Sequence, residues 1–325
     1  MPASLIEEQV TRRAEDVRAV VVAYHPRPGQ LDALVEELLT QVGGVIVVDN
    51  TDAPENFWSP SGSGDPVCSL VRLGENLGVG YAQNLGVCLA RDQGARFVLL
   101  LDQDSLPAPS MVALLRRGMC STTNALGEAP LVAGPVHVDQ VTGVRSPLPP
   151  SGVTISCADP LLGVVAARLT VASGMLIDVR AFELVGYMRE DYFIDWIDIE
   201  WVMRLHGAGH FSVGVLEAVL LHNEGEALSS VWFVPGKRIP HHQPFRNYYR
   251  VRNQLLIFRD LPVGLGYKLR RVVGLIKYLV YFSVFADRRL ARLRFMGLGI
   301  LHGLLDVRGA LNCHLDHPST RYQIK

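Results

Sequence analysis

The stretch Phe97-Val98-Leu99-Leu100-Leu101-Asp102-Gln103-Asp104-Ser105 decides the fold class of this chain. Its five apolar residues in a row predict a buried strand. The two aspartates follow at the carboxyl end of that strand, where open α/β sheets bind their ligands. Two carboxyl groups one residue apart can hold a hard divalent cation whose other positions are filled by phosphate oxygens. An ordinary turn with aspartate caps is the alternative that this pattern leaves open.

The segments before this strand show the same kinds of element. Strands are predicted at 17–24, 45–48 and 69–73, and helices at 31–41 and 81–93. Strand and helix thus alternate over about 100 residues, which predicts a mainly parallel sheet with crossover helices on both faces. The fold class is therefore α/β.

The pattern is less regular beyond Pro109, and beyond Phe245 the chain is predicted to be mostly helical. In between, we expect helices at 110–118 and 181–185, strands at 131–138, 169–179 and 213–221, and a loop at 142–153.

An acidic cluster lies between residues 191 and 200, where Asp191, Asp195, Asp198 and Glu200 alternate with aromatic and aliphatic residues. At helical spacing the three aspartates would share one face. Carboxyl groups among aromatic side chains tend to have raised pKa values, which suits a general base. The alternative is a plain acidic helix start, which the helix dipole favours.

Two further features have a chemical and a structural interpretation. His222 ends a predicted strand and could supply an imidazole ligand, although a lone histidine is more often structural. Gly74, Gly78 and Gly80 lie between a predicted strand and a helix, but their spacing does not match a dinucleotide-binding turn. No P-loop is present, so neither hydride transfer nor nucleotide hydrolysis has a motif.

Charge is balanced over the 325 residues, with 31 Lys and Arg against 32 Asp and Glu, but it is unevenly distributed. Residues 246–308 hold 13 Lys and Arg against 3 Asp. The most apolar stretch, 272–286, lies within this basic region, and Lys277 is its only charged residue. It is shorter than the roughly 20 apolar residues of a membrane span, so we expect an interfacial helix at a membrane surface.

Other partners and locations are less favoured by the sequence. A buried helix with solvated basic flanks is the alternative for 272–286. Nucleic acid is not expected, because the basic residues are interleaved with long aliphatic runs. The five cysteines include no C-x-x-C pair, and residues 1–16 lack the apolar core of a signal peptide, so we expect a cytoplasmic protein.

Taken together, the motifs resemble the inverting family 2 glycosyltransferases of GT-A fold. The residues that carry the resemblance follow in order over about 200 positions: Val48-Asp49-Asn50, Asn76-x-Gly78 with Asn84, Asp102-x-Asp104, Ser173-Gly174, and Phe193-Ile194-Asp195-Trp196-Ile197-Asp198-Ile199-Glu200. Leu101-Asp102-Gln103-Asp104-Ser105 and Phe245-Arg246-Asn247-Tyr248-Tyr249-Arg250-Val251-Arg252-Asn253 look most like the branch of dTDP-L-rhamnose-dependent rhamnosyltransferases.

The resemblance implies a Rossmann-like GT-A fold, in which helices flank a mixed, mainly parallel sheet. Residues 1–240 would form the nucleotide-sugar and catalytic domain. Residues 241–325 would form a basic, apolar carboxyl-terminal helical region that associates with a membrane. The apolar faces of this region could equally pair two subunits, so a homo-oligomer is also open.

The resemblance also implies the roles of individual residues. Asp102, Asp104 and His222 would hold Mg²⁺ or Mn²⁺ against the diphosphate of the donor, and Asp49 would contact thymine or its ribose. Asp198 would be the catalytic base, with Asp195 and Glu200 as competing candidates. The full set expected to bind the nucleotide sugar is Asp49, Asn76, Gly78, Asn84, Asp102, Gln103, Ser173, Gly174 and Arg252, with Arg246 and Arg250 as further candidates near the leaving phosphate.

The implied reaction moves L-rhamnose from dTDP-β-L-rhamnose to a hydroxyl of a lipid-linked saccharide or glycolipid at the inner face of the cytoplasmic membrane. Its product would enter a cell-surface polysaccharide or glycolipid. A galactofuranosyl or other nucleotide-sugar donor is an alternative within the family. Outside it, a nucleotidyltransferase would use the same metal-binding carboxyl groups without needing the cluster around Asp198, and a membrane-binding module would need neither.

Overall fold

The structure is a computed structural model that describes residues 13–52, 58, 67–140, 142–222, 228–230, 238–240 and 242–311. Part of the 1–16 segment, together with Cys313, lies outside the described residues. The chain divides into two compact units. The first comprises Met1–Met188 and Trp201–Asn223, and the second Arg189–Glu200 and Glu224–Lys325. The domain boundary at residue 240 stays a prediction.

The first unit is built on one large mixed sheet. Its strands are β1 (Ala14–Ala23), β2 (Val42–Asp49), β3 (Cys68–Arg72), β4 (Phe97–Asp102), β5 (Ser105–Pro107), β7 (Val132–Asp139), β9 (Val164–Ala167), β10 (Met175–Asp178) and β11 (Ser212–His222), and β6 (Thr122–Asn124) pairs separately with β8 (Ile155–Cys157). The helices are α1 (Pro28–Gln41), α2 (Val79–Asp92), α3 (Met111–Ser121), α4 (Arg180–Val185) and α5 (Ile197–Gly207), of which α5 continues from the second unit into the first.

The strand order is β3-β2-β1-β4-β10-β7-β11-β5, and β9 pairs with β11. The first four strands of this order are parallel to one another, and β7 is parallel to β11. Helices α1, α2 and α3 pack against the sheet. The second half of the central strand β1, residues 19–23, is apolar without alternation because both faces of such a strand are covered; Val17, Val20 and Val21 are fully buried.

The strand expected at 169–179 is wrong over its first half, because regular strand structure begins only at Met175. Gly174 has φ of +82°, and the hydrogen bond from its amide to the Leu100 carbonyl measures 2.8 Å. A Cβ atom at Gly174 would lie 2.5 Å from Cγ of Pro135, so only glycine fits this bend. From here β10 runs antiparallel to both β4 and β7.

The second unit contains three long helices, as expected beyond Phe245. They are α6 (Pro244–Asp260), α7 (Leu265–Val284) and α8 (Arg289–Leu305), and the same unit holds the strand pair β12 (Leu228–Ser230) and β13 (Arg238–Pro240). Helices α6 and α8 pack closely because Gly299 and Gly303 leave room between them; a Cβ at Gly299 would lie 2.6 Å from the Tyr248 carbonyl oxygen. No helix among the described residues is both long enough and apolar enough to cross a bilayer.

An ion-pair network ties the segment that starts at Arg189 to the carboxyl-terminal helices. Arg308 donates to Asp191 at 3.0 Å and to both oxygens of Asp260 at 2.7 and 2.9 Å. Arg189 donates to Asp191 at 2.6 and 2.8 Å, and the Tyr192 hydroxyl donates to Asp260 at 2.9 Å. These contacts explain why residues 189–200 fold with the second unit, although a segment of the first unit separates them from the rest of the second unit in the sequence.

Candidate active site

The candidate site of the first unit lies where three neighbouring parallel strands end. Ala23 of β1 is in register with Asp49 of β2, and Val22 is in register with Asp102 of β4. The Gln103 side chain binds the backbone after β1, accepting from the Tyr24 amide at 2.7 Å and donating to the Tyr24 carbonyl at 3.0 Å. Gln103 therefore fixes the position of the β1 loop beside the two aspartates that flank it.

Asp49 has an unusual environment at the end of β2. Its side chain is fully buried. One carboxyl oxygen accepts from the Thr51 amide at 3.0 Å, while the other is buried and has no hydrogen-bond partner among the described residues. Buried acceptors without a partner are rare in folded proteins and call for an explanation. A ligand group that donates to this oxygen would supply one if neighbouring groups moved aside, because the oxygen is not exposed to solvent.

Asn76 and Gly78 shape the turn that leads into α2. Oδ1 of Asn76 accepts from Asn50 Nδ2 at 3.0 Å and from the Gly78 amide at 3.1 Å. Asn50 Oδ1 accepts in turn from the Leu77 amide at 2.8 Å. These bonds join the loop after β2 to the start of α2, so Asn76 lies in the same loop system as Asp49.

Asn84, another of the expected nucleotide-sugar residues, is buried in α2. Its amide accepts from the Met188 backbone N–H at 2.9 Å and donates to the Met188 carbonyl at 3.0 Å. These two bonds show that Asn84 anchors the chain just before the second unit begins.

A chain of hydroxyl groups connects Asp102, Ser173, Ser105 and His222. Ser173 Oγ accepts from the Asp102 amide at 3.4 Å and lies 2.6 Å from Ser105 Oγ. Ser105 Oγ lies 3.1 Å from His222 Nδ1, because β5 pairs with β11 and places Ser105 opposite His222. The structure thus brings together residues that are up to 120 positions apart in the sequence.

The residues expected to hold a metal are partly assembled. Asp104 Oδ1 lies 3.9 Å from His222 Nδ1. In the described parts of the chain, no group of three or more His, Cys, Asp or Glu side chains is close enough to hold a metal ion. The carboxylates of Asp102 and Asp104 nevertheless supply the oxygen donors that Mg²⁺ and Mn²⁺ prefer. Mg²⁺ usually takes only one or two carboxylates from a protein and fills its shell with substrate phosphates and water.

Two residues of this network, Ser105 and His137, did not emerge from the sequence. His137 Nε2 lies 2.8 Å from the Ser173 carbonyl oxygen and therefore donates to it, and the His137 and His222 rings meet edge to face at 6.3 Å. Burial lowers the pKa of His137, which favours the neutral form of its ring. The available signal for Ser105 was its position directly after the second aspartate; for His137 it was the end of a predicted strand.

The acidic cluster belongs to the second unit, and its backbone is not the helix expected there. A 3-10 turn at Glu190–Tyr192 is followed by positive φ angles of 65° at Phe193, 64° at Asp195 and 71° at Trp196. Helix α5 begins only at Ile197. The prediction that Asp191, Asp195 and Asp198 share a helix face is therefore wrong.

The side chain of Asn253 is the physical reason why the acidic cluster forms a turn and not a helix. Its Nδ2 group donates to the carbonyls of Tyr192, Ile194 and Asp195, at 2.8 to 2.9 Å. These carbonyls would accept helical bonds in a continuous helix, so the Asn253 side chain stabilises the turn in its place.

The expected raised pKa values are also wrong for two of the four carboxyl groups. Burial works to raise the pKa of Asp195, but the Arg246 guanidinium outweighs it and holds the pKa below its usual range. The two side chains form a bidentate pair at 2.8 and 3.3 Å. Burial likewise works to raise the pKa of Asp191, but Arg189 and Arg308 outweigh it, so the pKa of Asp191 is lowered.

The three candidates for a catalytic base differ in burial and in hydrogen-bond partners. Asp195 is committed to Arg246, and Glu200 is only 1% exposed. Asp198 is half-buried in the first turn of α5, where one of its oxygens accepts from the Ile199 amide at 2.8 Å. Asp198 is thus more exposed than Glu200 and does not take part in the pair of Asp195 with Arg246, and its role as base stays a prediction.

Arg252 does not lie among ligand-binding groups, contrary to the sequence-based expectation. It is fully buried in the second unit and its guanidinium contacts the rings of Tyr248 and Tyr249. Its N–H groups donate to the Asn253 side chain, the Tyr248 hydroxyl, and the carbonyls of Asp191, Tyr192 and Gly309. All five donors are used within the unit, so Arg252 is a structural residue.

Comparison with solved structures gives the class of the fold. The TarS fragment 1–349 of S. aureus matches over 88% of this chain and 80% of its own length, with 12% identity and a TM-score of 0.51. The same fragment in complex with UDP-GlcNAc matches over 88% and 81%, with 12% identity and a TM-score of 0.53. The mixed sheet, its flanking helices and the carboxyl-terminal helices form a GT-A glycosyltransferase fold, as predicted.

Sequence comparison then gives the family. The chain is 30% identical over 301 residues to the dTDP-rhamnosyl transferase RfbF of Shigella flexneri, covering 90% of this chain and 96% of RfbF. No protein-family model matches the sequence. The chain belongs to the family of GT-A glycosyltransferases that includes RfbF.

Proposed function

We propose that the chain transfers L-rhamnose from dTDP-β-L-rhamnose to a hydroxyl of a lipid-linked saccharide or glycolipid, with inversion at the anomeric carbon. The observation that carries this proposal is the similarity to a dTDP-rhamnosyl transferase over nearly the full length of both chains. The same similarity favours glycosyl transfer over nucleotidyl transfer or a purely membrane-binding role.

Asp49 would recognise the thymine base or its ribose. Its buried oxygen without a partner would accept a hydrogen bond from the N3–H of thymine or from a ribose hydroxyl once neighbouring groups move aside to expose it. Asn76 and Gly78 would line the nucleotide, while Ser173 and Gly174 would border the sugar pocket.

Asp102, Asp104 and His222 would hold Mg²⁺ or Mn²⁺ together with the diphosphate. When bound, the cation would neutralise charge that develops on the leaving diphosphate. Ser105, 3.1 Å from His222 Nδ1, would fix the orientation of the imidazole, as outer groups do around metal-binding histidines.

Asp198 would act as the general base. It would take the proton from the acceptor hydroxyl as that oxygen forms a bond to the anomeric carbon. The bond from the anomeric carbon to the diphosphate oxygen breaks on the opposite side, and dTDP leaves with the bonding electrons. The attack from the opposite side inverts the configuration.

The acceptor would be met at the inner face of the cytoplasmic membrane. The basic composition of residues 246–308 supports this location, because the lipids of that surface carry negative charge. The product would enter a cell-surface polysaccharide or glycolipid, and the carboxyl-terminal helices could also support a homo-oligomer.

Release of dTDP from dTDP-L-rhamnose by the purified chain tests this function. Rhamnosyl lipids serve as acceptors, with Mn²⁺ or Mg²⁺ and then with a chelator. We expect release that requires the metal, is lost in Asp198→Asn, and persists in Asp92→Asn, a matched variant of an exposed carboxyl at the end of α2.

Other outcomes of this assay would indicate a different donor sugar or a different reaction. Absence of release with every acceptor, together with absence of thermal stabilisation by any dTDP-sugar, would refute the rhamnosyl donor. Ranking of nucleotide sugars by thermal shift would then identify a galactofuranosyl or other donor, and release of pyrophosphate instead of dTDP would indicate nucleotidyl transfer.

A further inference from the structure

Helix α7 has two apolar faces, and within the described part of the chain only one of them is packed. Leu275 and Phe282 are buried in a cluster with residues of α6 and α8. Seven other apolar side chains of α7 are 38 to 72% exposed. This α7 stripe consists of Leu265, Leu269, Val272, Val273, Ile276, Val280 and Val284.

The stripe is continuous along the helix. At about 100° per residue, its seven members fall within about 120° of the helix circumference, and Leu275 and Phe282 lie outside that arc. An exposed apolar band of this width is typical of a surface that contacts another apolar phase or protein.

The charged residues on helices α7 and α8 are all basic. Helices α7 and α8 contain no Asp or Glu. Arg270 and Lys277 are exposed and fall about 20 to 40° beyond one edge of the stripe. Arg288, between the two helices, and Arg289, the first residue of α8, are also exposed, and the neighbouring Asp287 is paired with Arg292 at 2.7 Å. An apolar band with basic margins has the composition of a helix that lies in the plane of an anionic membrane.

We propose that the α7 stripe docks on an anionic phospholipid bilayer, with its apolar side chains between the acyl chains and its basic margin at the headgroups. A second copy of the chain fits this surface less well. In a symmetric dimer each patch meets its own copy, so basic groups would face basic groups with no acidic residue on α7 or α8 to compensate them.

The α7 stripe would be the surface by which the chain reaches the membrane. This proposal rests on the proposed function only for the membrane location. Vesicle binding needs neither donor nor acceptor, so its failure is distinguishable from failure of the transfer reaction. A chain that binds vesicles but never releases dTDP would leave the docking surface standing and refute the transferase proposal.

The test is co-flotation of the full chain with vesicles. One set contains phosphatidylglycerol with phosphatidylcholine, and the other phosphatidylcholine alone. We expect about tenfold or stronger binding to the anionic set, weakened by salt. Leu269→Glu with Ile276→Glu should reduce binding at least about tenfold, since the apolar contribution of both side chains is lost.

The chain offers a matched control. Leu161 and Leu184 in the first unit are 56 and 54% exposed, against 57 and 54% for Leu269 and Ile276. Leu161→Glu with Leu184→Glu adds the same charge at equally exposed sites and should leave vesicle binding unchanged. Circular dichroism checks that both double variants fold.

A second variant tests the charge separately. Arg270→Glu with Lys277→Glu leaves the stripe intact and should remove the preference for anionic vesicles. Failure of the wild-type chain to bind them, or equal binding to both vesicle sets, would overturn the proposal. So would a dimer in analytical ultracentrifugation that dissociates when Leu269 and Ile276 are replaced.

Discussion

Replacing Asp49 by Asn separates ligand recognition from stability, because the two oxygens of this carboxyl group have different environments. The oxygen that accepts from the Thr51 amide has an equivalent in Asn. The other oxygen, which is buried without a partner, becomes an NH₂ group. The size and shape of the side chain hardly change, so the surrounding strands need not move.

The expected magnitudes follow from these environments. A buried acceptor without a partner costs about 1–3 kcal/mol, and a neutral amide is less costly to bury than a carboxylate. The free energy of unfolding without ligand should therefore stay constant or rise by about 1 kcal/mol. A donor from the thymine ring or ribose would now face another donor. We expect a loss of about 2 kcal/mol in binding of dTDP, which is about thirtyfold in Kd.

Calorimetric titration with dTDP and urea unfolding measure the two quantities on the same protein samples. Asp92→Asn is the matched control, because its carboxyl group is exposed, and it should change neither. Unchanged dTDP affinity in Asp49→Asn would refute the assignment of this oxygen to the nucleotide. A loss of more than about 2 kcal/mol in stability would show that the Asp49 carboxyl group serves the fold.

Three further predictions concern other residues of the two units. Asp198→Asn should lower the rate of dTDP release about 10²- to 10⁴-fold while the Kd for dTDP, measured by calorimetry, stays constant; an equal loss of affinity would contradict a role as base. Ser105→Ala removes the group that lies 3.1 Å from His222 Nδ1 and should weaken Mn²⁺ binding in the presence of dTDP about 10- to 100-fold by electron paramagnetic resonance; unchanged Mn²⁺ affinity would argue against an orienting role. Burial and the Arg246 charge lower the pKa of His242 to about 4, so the unfolded chain binds this proton more readily, and stability falls as the pH drops from about 6.5 towards 4. Urea midpoints at pH 7 and 5.5 should reveal a loss that is about 1 kcal/mol larger than in His242→Gln, because His137 and His206, whose pKa values are also lowered by burial, contribute equally to both proteins; equal losses would exclude His242 as a source.

The sequence predicted the positions of those candidate site residues that lie at the ends of neighbouring parallel strands. Asp49 and Asp102 each follow an apolar run, and the sheet brings such ends to one edge. His222 was predicted from its place at the end of a strand, and it lies beside Asp104 in the structure. These predictions depend on local pattern and on general rules of sheet topology, which a single sequence contains.

Predictions that depended on the partner of a side chain were less successful. The spacing of Asp191, Asp195 and Asp198 indicated a shared helix face, but Asn253, nearly 60 residues later, binds the backbone between them in a turn. Arg252 matched a motif, yet its five donors are used inside the second unit. Local spacing does not show which distant group competes for a hydrogen bond.

The sequence by itself determined the α/β class, the strand ends that carry Asp49, Asp102 and Asp104, and the basic, apolar character of the carboxyl-terminal helices. Each of these follows from residues that are close together in the chain. Only the tertiary structure decided which carboxyl groups are committed to arginines, that Ser105 lies between Ser173 and His222, and which face of α7 remains exposed. Hydrogen bonding, ion pairing and burial at these positions are decided by residues tens of positions away, whose proximity arises only when the chain folds.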